Sequence, residues 1–469
     1  MNSAPALRGD IGYFQFLSLS FGTMIGSAWV ILLGDWLGKA GPGGAVLGFL
    51  SGALIVMTIG ACYAELASHL PEAGSEFIYA HRVYGRGLAF TVGWFLVLYL
   101  VSVTVFEALA LAWIAELLFP DWQSLTLYSV FGGAITWQTL LVGIGGALCI
   151  FALNLAGTRA AVVGHSILTF GFLFVVLCIL AALLTHGQAN HARPLFATTN
   201  GKPWWLGSFG IFSFCAYALN GFQAIPQAIE ERSGKTRLRS IGMVIVASIA
   251  AAACFYCIVV IAASLSMPWQ RLVDEPLPMI AAAATLPQGQ MVARVLLVAT
   301  AVSLIKAWNG VFMMAVRLVL AMARTGYVPG RFARLHPRLA SPVPALCLVA
   351  SLNVAGIFWG RAAIEPITDM CAMVLTLTYV MCCATVLRLR ARAGTAEGMA
   401  GSVTAFKVPG GSALVWTALI GSVIMTLVAF LAPWWGRQGL PLEWVLLIAW
   451  GAIGAGVWWS RERVGFTPP

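Results

Sequence analysis

The chain has 469 residues, of which 60% are hydrophobic and only 9% charged, with a formal net charge of +10. Soluble domains carry about 25% charged residues, so this composition excludes a soluble enzyme, a nucleic-acid binder and a disordered chain. Most of the surface must face lipid, and at about 20 residues per span the length accommodates about 12 transmembrane helices.

Apolar windows predict helices over 11–37, 43–66, 88–118, 137–153, 160–184, 204–230, 240–265, 291–322, 343–360, 366–387, 412–432 and 441–459, an all-α polytopic membrane protein. Turn-forming residues mark the connections, among them Gly41, Pro42, Gly43 and Gly44, then Pro71, Pro120, Pro337, Pro342 and Pro409 with Gly410 and Gly411. The first apolar stretch runs past residue 30 without a small-residue cleavage site, so no signal peptide is expected. The ten cysteines fall inside apolar runs, Cys254 and Cys257 included, which argues against a disulfide framework or a zinc site. No cofactor or metal is expected.

An even number of spans puts both termini on one side. The termini and the connections on that side hold 18 of the 27 Lys and Arg, among them Arg8, Arg82, Arg232, Lys235, Arg324, Arg390 and Lys407. The opposite side holds seven, among them Lys39, Arg193, Lys202 and Arg361, and Lys306 and Arg317 lie within helices. Basic loops stay in the cytoplasm, so both termini are expected there, in a cytoplasmic (inner) membrane. This distribution accounts for the positive charge without an anionic macromolecule as partner. The expected partners are the bilayer and a small-molecule substrate.

Two helices read as broken. The first contains SFGTMIGSA over 20–28, with glycines at 22 and 26; the sixth contains CAYALNGFQ over 215–223, followed by Pro226. Glycine costs up to about 1 kcal/mol against alanine inside a helix, and non-helical backbone at membrane depth is tolerated only where it lines a cavity or is buried in protein. Each broken helix opens a block of five spans, and interrupted spans in corresponding places of two halves point to a transporter's midplane site. Free N–H groups of half-helices suit a carboxylate, and free carbonyls suit an ammonium or a cation. The same glycines also fit close helix packing without any ligand.

The chain resembles the amino acid–polyamine–organocation (APC) permeases. The resemblance rests on GTMIGSA (22–28), AGPGG (40–44), CYAELA (62–67), PEAGSEFIY (71–79), GFQA (221–224), IEE (229–231), ARTGYVP (323–329) and FKVP (406–409), spread over nearly the whole chain in the family's order. It implies a five-plus-five inverted-repeat (LeuT-like) core over 1–400 and two appended helices over 401–469. It also implies a substrate site over Thr23, Met24, Gly26, Ser27 and Ala28 in the first helix and Tyr217, Asn220, Gly221 and Gln223 in the sixth. The amides of Ser27 and Ala28 would hold a carboxylate, and the carbonyls of Met24, Tyr217 and Asn220 an amino group. Tyr217 matches an aromatic lid, and equally an ordinary packed aromatic. Four positions depart from the family pattern: Ala28 replaces a frequent glycine, Trp29 follows where an aliphatic residue is common, Gln223 replaces a frequent acid, and helix five has no lysine near Phe172, where several proton-coupled relatives carry one.

Two charges are stranded in lipid. Lys306 lies about 22 Å along helix eight from either surface, too deep to snorkel, and intramembrane ionisable residues are functional candidates. It is expected either to supply the positive charge that relatives place on helix five, coupling transport to protons, or to be a paired structural lysine. Glu107 shares a face of helix three with Leu100, Val103 and Thr104; with Thr104 it is a candidate for substrate contact, and it also fits a proton carrier or the partner of Lys306. Glu65 and Arg317 are expected to reach water, Glu230 and Glu231 to form a network beside Arg232 and Lys235, and His165 to be a satisfied buried histidine.

The resulting expectation is a secondary transporter of amino acids or related amines working by alternating access, coupled to protons or to exchange, and not an enzyme. An amino acid sensor without net transport and a sodium-coupled symporter using Ser303 stay open as alternatives.

Overall fold

The computed structural model describes residues 11–119, 122, 125–130, 133–197, 203–234, 236–336, 341–360, 364–392, 406–431, 434 and 441–464. In chain order the elements are α1 (Tyr13–Met24), α2 (Ala28–Ile31), α3 (Leu33–His69), α4 (Glu76–Tyr84), α5 (Arg86–Leu118), β1 (Thr126–Val130), β2 (Gly133–Thr136), α6 (Trp137–Leu155), α7 (Thr158–His186), α8 (Trp204–Ala218) and α9 (Ala224–Gln227). They continue with α10 (Leu238–Ser266), α11 (Trp269–Val273), α12 (Pro278–Ala284), α13 (Gly289–Arg324), α14 (Val343–Ile357), α15 (Ile364–Arg392), α16 (Gly411–Leu431) and α17 (Leu442–Val464).

Among the described residues each of the twelve apolar windows is mainly helical, and ten stretches are long and apolar enough to cross a membrane. The other two windows fall short for separate reasons: 204–230 is split into α8 and α9, and α14 has only 15 helical residues. Short elements escaped a search for apolar windows: the connecting helices α4, α11 and α12 and the antiparallel β1–β2 hairpin between α5 and α6. The boundary expected at residue 400 lies outside the described residues, as do Arg8, Lys202, Lys235 and Arg361. Beyond that boundary, α16 packs on α15 and α3, and α17 on α15 and α5.

The first window ends where the AGPGG turn predicts. Gly41 has φ +70°, and a Cβ there would lie 2.8 Å from both the Ala197 nitrogen and the Leu195 oxygen. The segment around Leu195 therefore docks onto the turn, and the Gly43 amide donates to the Leu195 carbonyl at 2.7 Å.

The tightest seam in the bundle joins α3 to α8. Gly44, Gly48 and Gly52 recur every four residues and present one flat stripe, on which Ser208, Ile211 and Cys215 of α8 lie directly. Lipid gives helices no hydrophobic reason to associate, so close backbone approach through small residues provides the packing. A Cβ on Gly48 would sit 2.8 Å from both the Ile211 Cβ and the Ser208 carbonyl oxygen. Gly48→Leu is therefore expected to lower stability by about 1–3 kcal/mol or more through overpacking, read as a loss of thermal stability in detergent. Gly145→Leu is the control, because nothing lies within 4 Å of its Cβ position.

Candidate functional site

The two interruptions meet in the middle of the bundle. Residues 25–27 separate α1 from α2, and 219–223 separate α8 from α9. Gly221 has φ +133°, and a Cβ there would come within 2.7 Å of the Met24 nitrogen, so only glycine lets the second break lie against the first. On the other flank, Gly310 of α13 faces Thr23 with no space for a side chain.

The unwound carbonyls of the first break are largely claimed by side chains from neighbouring helices. Lys306 of α13 donates from Nζ to the Gly22 carbonyl at 2.8 Å and to the Ile25 carbonyl at 2.5 Å. Ser303 donates to the carbonyls of Ile25 and Gly26 at 2.7 and 2.8 Å. Trp29 Nε1 donates to the Gly26 carbonyl at 2.9 Å, and the Tyr256 hydroxyl to that of Met24 at 3.3 Å. Lys306 is fully buried, with its ammonium 4.6 Å from the centre of the Phe172 ring. It makes no ion pair with Glu107: the five salt bridges among the described residues involve neither residue. The two charges flank the break instead, Glu107 lying against Gly26.

Beside the break is a cavity of about 30 Å³, lined by Thr23, Met24, Gly26, Ser27, Ala28, Val103, Phe106, Glu107, Tyr217, Ala218, Asn220, Tyr256 and Val311. That is room for about one water. Three buried side-chain atoms of the lining residues have no hydrogen-bond partner: Ser27 Oγ, Glu107 Oε2 and Asn220 Oδ1. Each unmade buried bond costs about 1–3 kcal/mol. Among the described residues the amides of Gly26 and Ser27 make no backbone hydrogen bond either. Acceptors on Glu107 and Asn220 thus face donors at the start of α2 across one small space, an arrangement complementary to a solute carrying both an ammonium and an anionic group.

Of the sequence candidates, Thr23, Met24, Gly26, Ser27, Ala28, Glu107, Tyr217 and Asn220 line this cavity, and three do not. The Thr104 hydroxyl donates to the Val101 carbonyl and accepts from Asn353 of α14 at 2.8 Å, because its place on α5 turns it toward α14. Gly221 serves the close approach described above. Gln223 staples the second break: its Oε1 accepts from the Gly221 amide at 3.0 Å and its Nε2 donates to the Tyr379 hydroxyl at 3.2 Å. Phe106, Tyr256 and Val311 line the cavity without having been singled out, since nothing in an apolar run distinguishes such residues from core. His165 is only half satisfied: Nε2 donates to the Ser18 carbonyl at 3.0 Å, while Nδ1 has no partner.

The charges expected to reach water are instead buried in pairs. Glu65 is 2% exposed and accepts from Arg390 Nε and Nη2 at 2.9 and 2.6 Å and from the Val408 amide at 2.7 Å. Arg317 is 5% exposed and pairs with Glu231 at 2.5 Å. Glu230 pairs with Arg324 at 2.8 Å and accepts from the Ala73 amide, so the two glutamates tie the end of the α8–α9 span to α13 and to the α3–α4 turn rather than to Arg232 beside them. Below α9, Glu76 of α4 accepts from Tyr63 at 3.0 Å and Gln227 at 3.3 Å, and burial pushes its carboxyl pKa up. Removing one partner of a buried pair leaves an uncompensated charge and costs about 3–5 kcal/mol. Arg317→Met is expected to destabilise by that order, and the double variant with Glu231→Gln to recover most of it, as measured by thermal unfolding in detergent.

Residues 11–458 match the model of the family described as amino acid permease. The branched-chain amino acid permease of Bacillus subtilis (strain 168) is 24% identical over 364 residues, covering 74% of each chain. A glutamate/serine transporter of the same organism is 26% identical over 401 residues, covering 82% of this chain and 72% of its own. A vacuolar cationic amino acid transporter of Arabidopsis thaliana is 28% identical over 412 residues, covering 82% of this chain and 64% of its own.

Proposed function

Because the chain belongs to the amino acid permease family, we propose that it is a secondary transporter that moves an amino acid or a related amine across a cytoplasmic membrane by alternating access. The observation that carries this reading is the meeting of two interrupted helices at a buried cavity whose lining leaves Ser27 Oγ, Glu107 Oε2 and Asn220 Oδ1 unpaired. In this reading α1 to α7 and α8 to α15 form the five-plus-five repeat, α16 and α17 complete twelve spans, and both termini are cytoplasmic. The substrate carboxylate sits on the amides at Ser27 and Ala28. The substrate ammonium meets Glu107 and the acceptors of Asn220, with the carbonyls of Met24 and Tyr217 nearby and Tyr217 as lid. The cavity holds about one water, so admission of an amino acid requires the lid and its neighbours to move.

Coupling falls to Lys306. Its ammonium occupies the carbonyls of Gly22 and Ile25 that would otherwise bind a cation, and Ser303 donates to the same set. A sodium ion would meet a like charge there, which favours protons or solute exchange over sodium. Glu107 from α5 and His165 from α7 are the ionisable neighbours through which a proton would be exchanged.

The deciding experiment uses the full chain in liposomes, with radiolabelled amino acids and amines and with imposed proton or sodium gradients. Saturable uptake accelerated by an inward proton gradient, or by an exchangeable solute inside, is expected. Binding without flux would identify a sensor, and acceleration by sodium alone would overturn the coupling assignment.

A further inference from the structure

An apolar groove of about 690 Å³ lies between α5, α15 and α17, well away from the cavity at the breaks. Tyr84, Leu88, Phe95, Leu377, Met381 and Ile448 are among its walls, and Leu377 and Ile448 are 49% and 61% exposed. Its two threonine hydroxyls are turned back onto their own helices: Thr91 donates to the Gly87 carbonyl and Thr378 to the Leu375 carbonyl. The other polar groups of the lining are the Tyr84 hydroxyl and the Trp444 indole N–H, which has no partner among the described residues, so the walls are apolar along most of their length. Along α5 the groove runs from Leu88 to Phe95, about 10 Å, a third of the ~30 Å hydrocarbon core, with Tyr84 of α4 at its end.

The Tyr84 end is cationic. The Arg388 guanidinium stacks 4.8 Å over the Tyr84 ring, and Arg86 begins α5 two residues on. Arg82, Arg324 and Arg390 at the same end have carboxylate partners, whereas Arg86 and Arg388 form no salt bridge among the described residues. Both are exposed.

We propose that this groove binds an anionic glycerophospholipid, with one acyl chain along the α5–α15–α17 cleft and its phosphate on Arg388 and Arg86. Basic pockets between transmembrane helices recognise anionic headgroups in this way, and the guanidinium fork matches phosphate oxygens. The groove itself does not depend on the transport reading; only its assignment to the cytoplasmic leaflet rests on the topology proposed above.

The test places the full chain in phosphatidylcholine nanodiscs doped with phosphatidylglycerol or phosphatidylcholine that carries a diazirine in one chain, and maps the photo-crosslinks. Crosslinks on α5, α15 and α17 are expected, with phosphatidylglycerol labelling about 30-fold over phosphatidylcholine from two surface arginines. Arg86→Gln with Arg388→Gln is expected to equalise the two lipids, and Leu377→Trp to remove groove labelling by both. Equal labelling by the two lipids in the unaltered protein, or crosslinks confined to other helices, would overturn the proposal; this comparison needs no variant to fold.

Discussion

Lys306→Met is expected to reduce uptake in liposomes by about 100-fold or more and to remove its response to a proton gradient. The variant keeps the volume but strips the donor from the Gly22 and Ile25 carbonyls, which accept from Nζ at 2.8 and 2.5 Å. Hydrogen bonds to a charged group are worth about 1.5–3 kcal/mol each, and two of them hold the geometry of the break. Ser303 still reaches Ile25 and Gly26 in the variant, so part of the break stays anchored and the protein is expected to remain folded, by gel filtration in detergent. A folded variant that retained uptake of unchanged size and pH response would end the coupling assignment.

Glu107→Gln is the second large effect. The substitution keeps the shape and one acceptor but removes the negative charge, in a cavity where the carboxylate has an unpaired oxygen. If this carboxylate receives the cationic group of the substrate, the apparent affinity for amines and cationic amino acids falls by about 10- to 100-fold, the worth of one charge-assisted bond. Competition by a panel of amino acids against one labelled substrate reads the change directly. Identical competition profiles for the two proteins would exclude selection by charge at this position.

The backbone features of the site were legible in the sequence because they depend on local chemistry. Gly26 and Gly221 fall within the two breaks, Gly22 and Pro226 lie in the helices beside them, and the depth of Lys306 follows from counting along an uninterrupted apolar helix. What Lys306 touches was not legible, since its bond to Ile25 joins residues 281 positions apart. Periodicity assigns residues to a face without saying which neighbour that face meets. Thus Thr104 and Glu107 share a face within tolerance, yet one meets Asn353 and the other the cavity. Glu65 and Arg317 lie near helix ends, where water is the default partner; only the tertiary arrangement brings Arg390 and Glu231 over them. The helix α4 was hidden for another reason: EFIYAHRVY is short and half polar, below what an apolar window detects.

The glycine stripe on α3 has a mechanical consequence. The stripe meets the Ile211 and Cys215 side chains and the Ser208 and Phe212 carbonyls with no room for another atom, so α3 and α8 are held as one rigid pair. At one end α3 is pinned where Gly41 meets the Leu195 segment, and at the end of α8 the Gly221 break presses on Met24. Met24 also lines the candidate cavity, so a change in the tilt of the pair would reach the cavity wall through that residue.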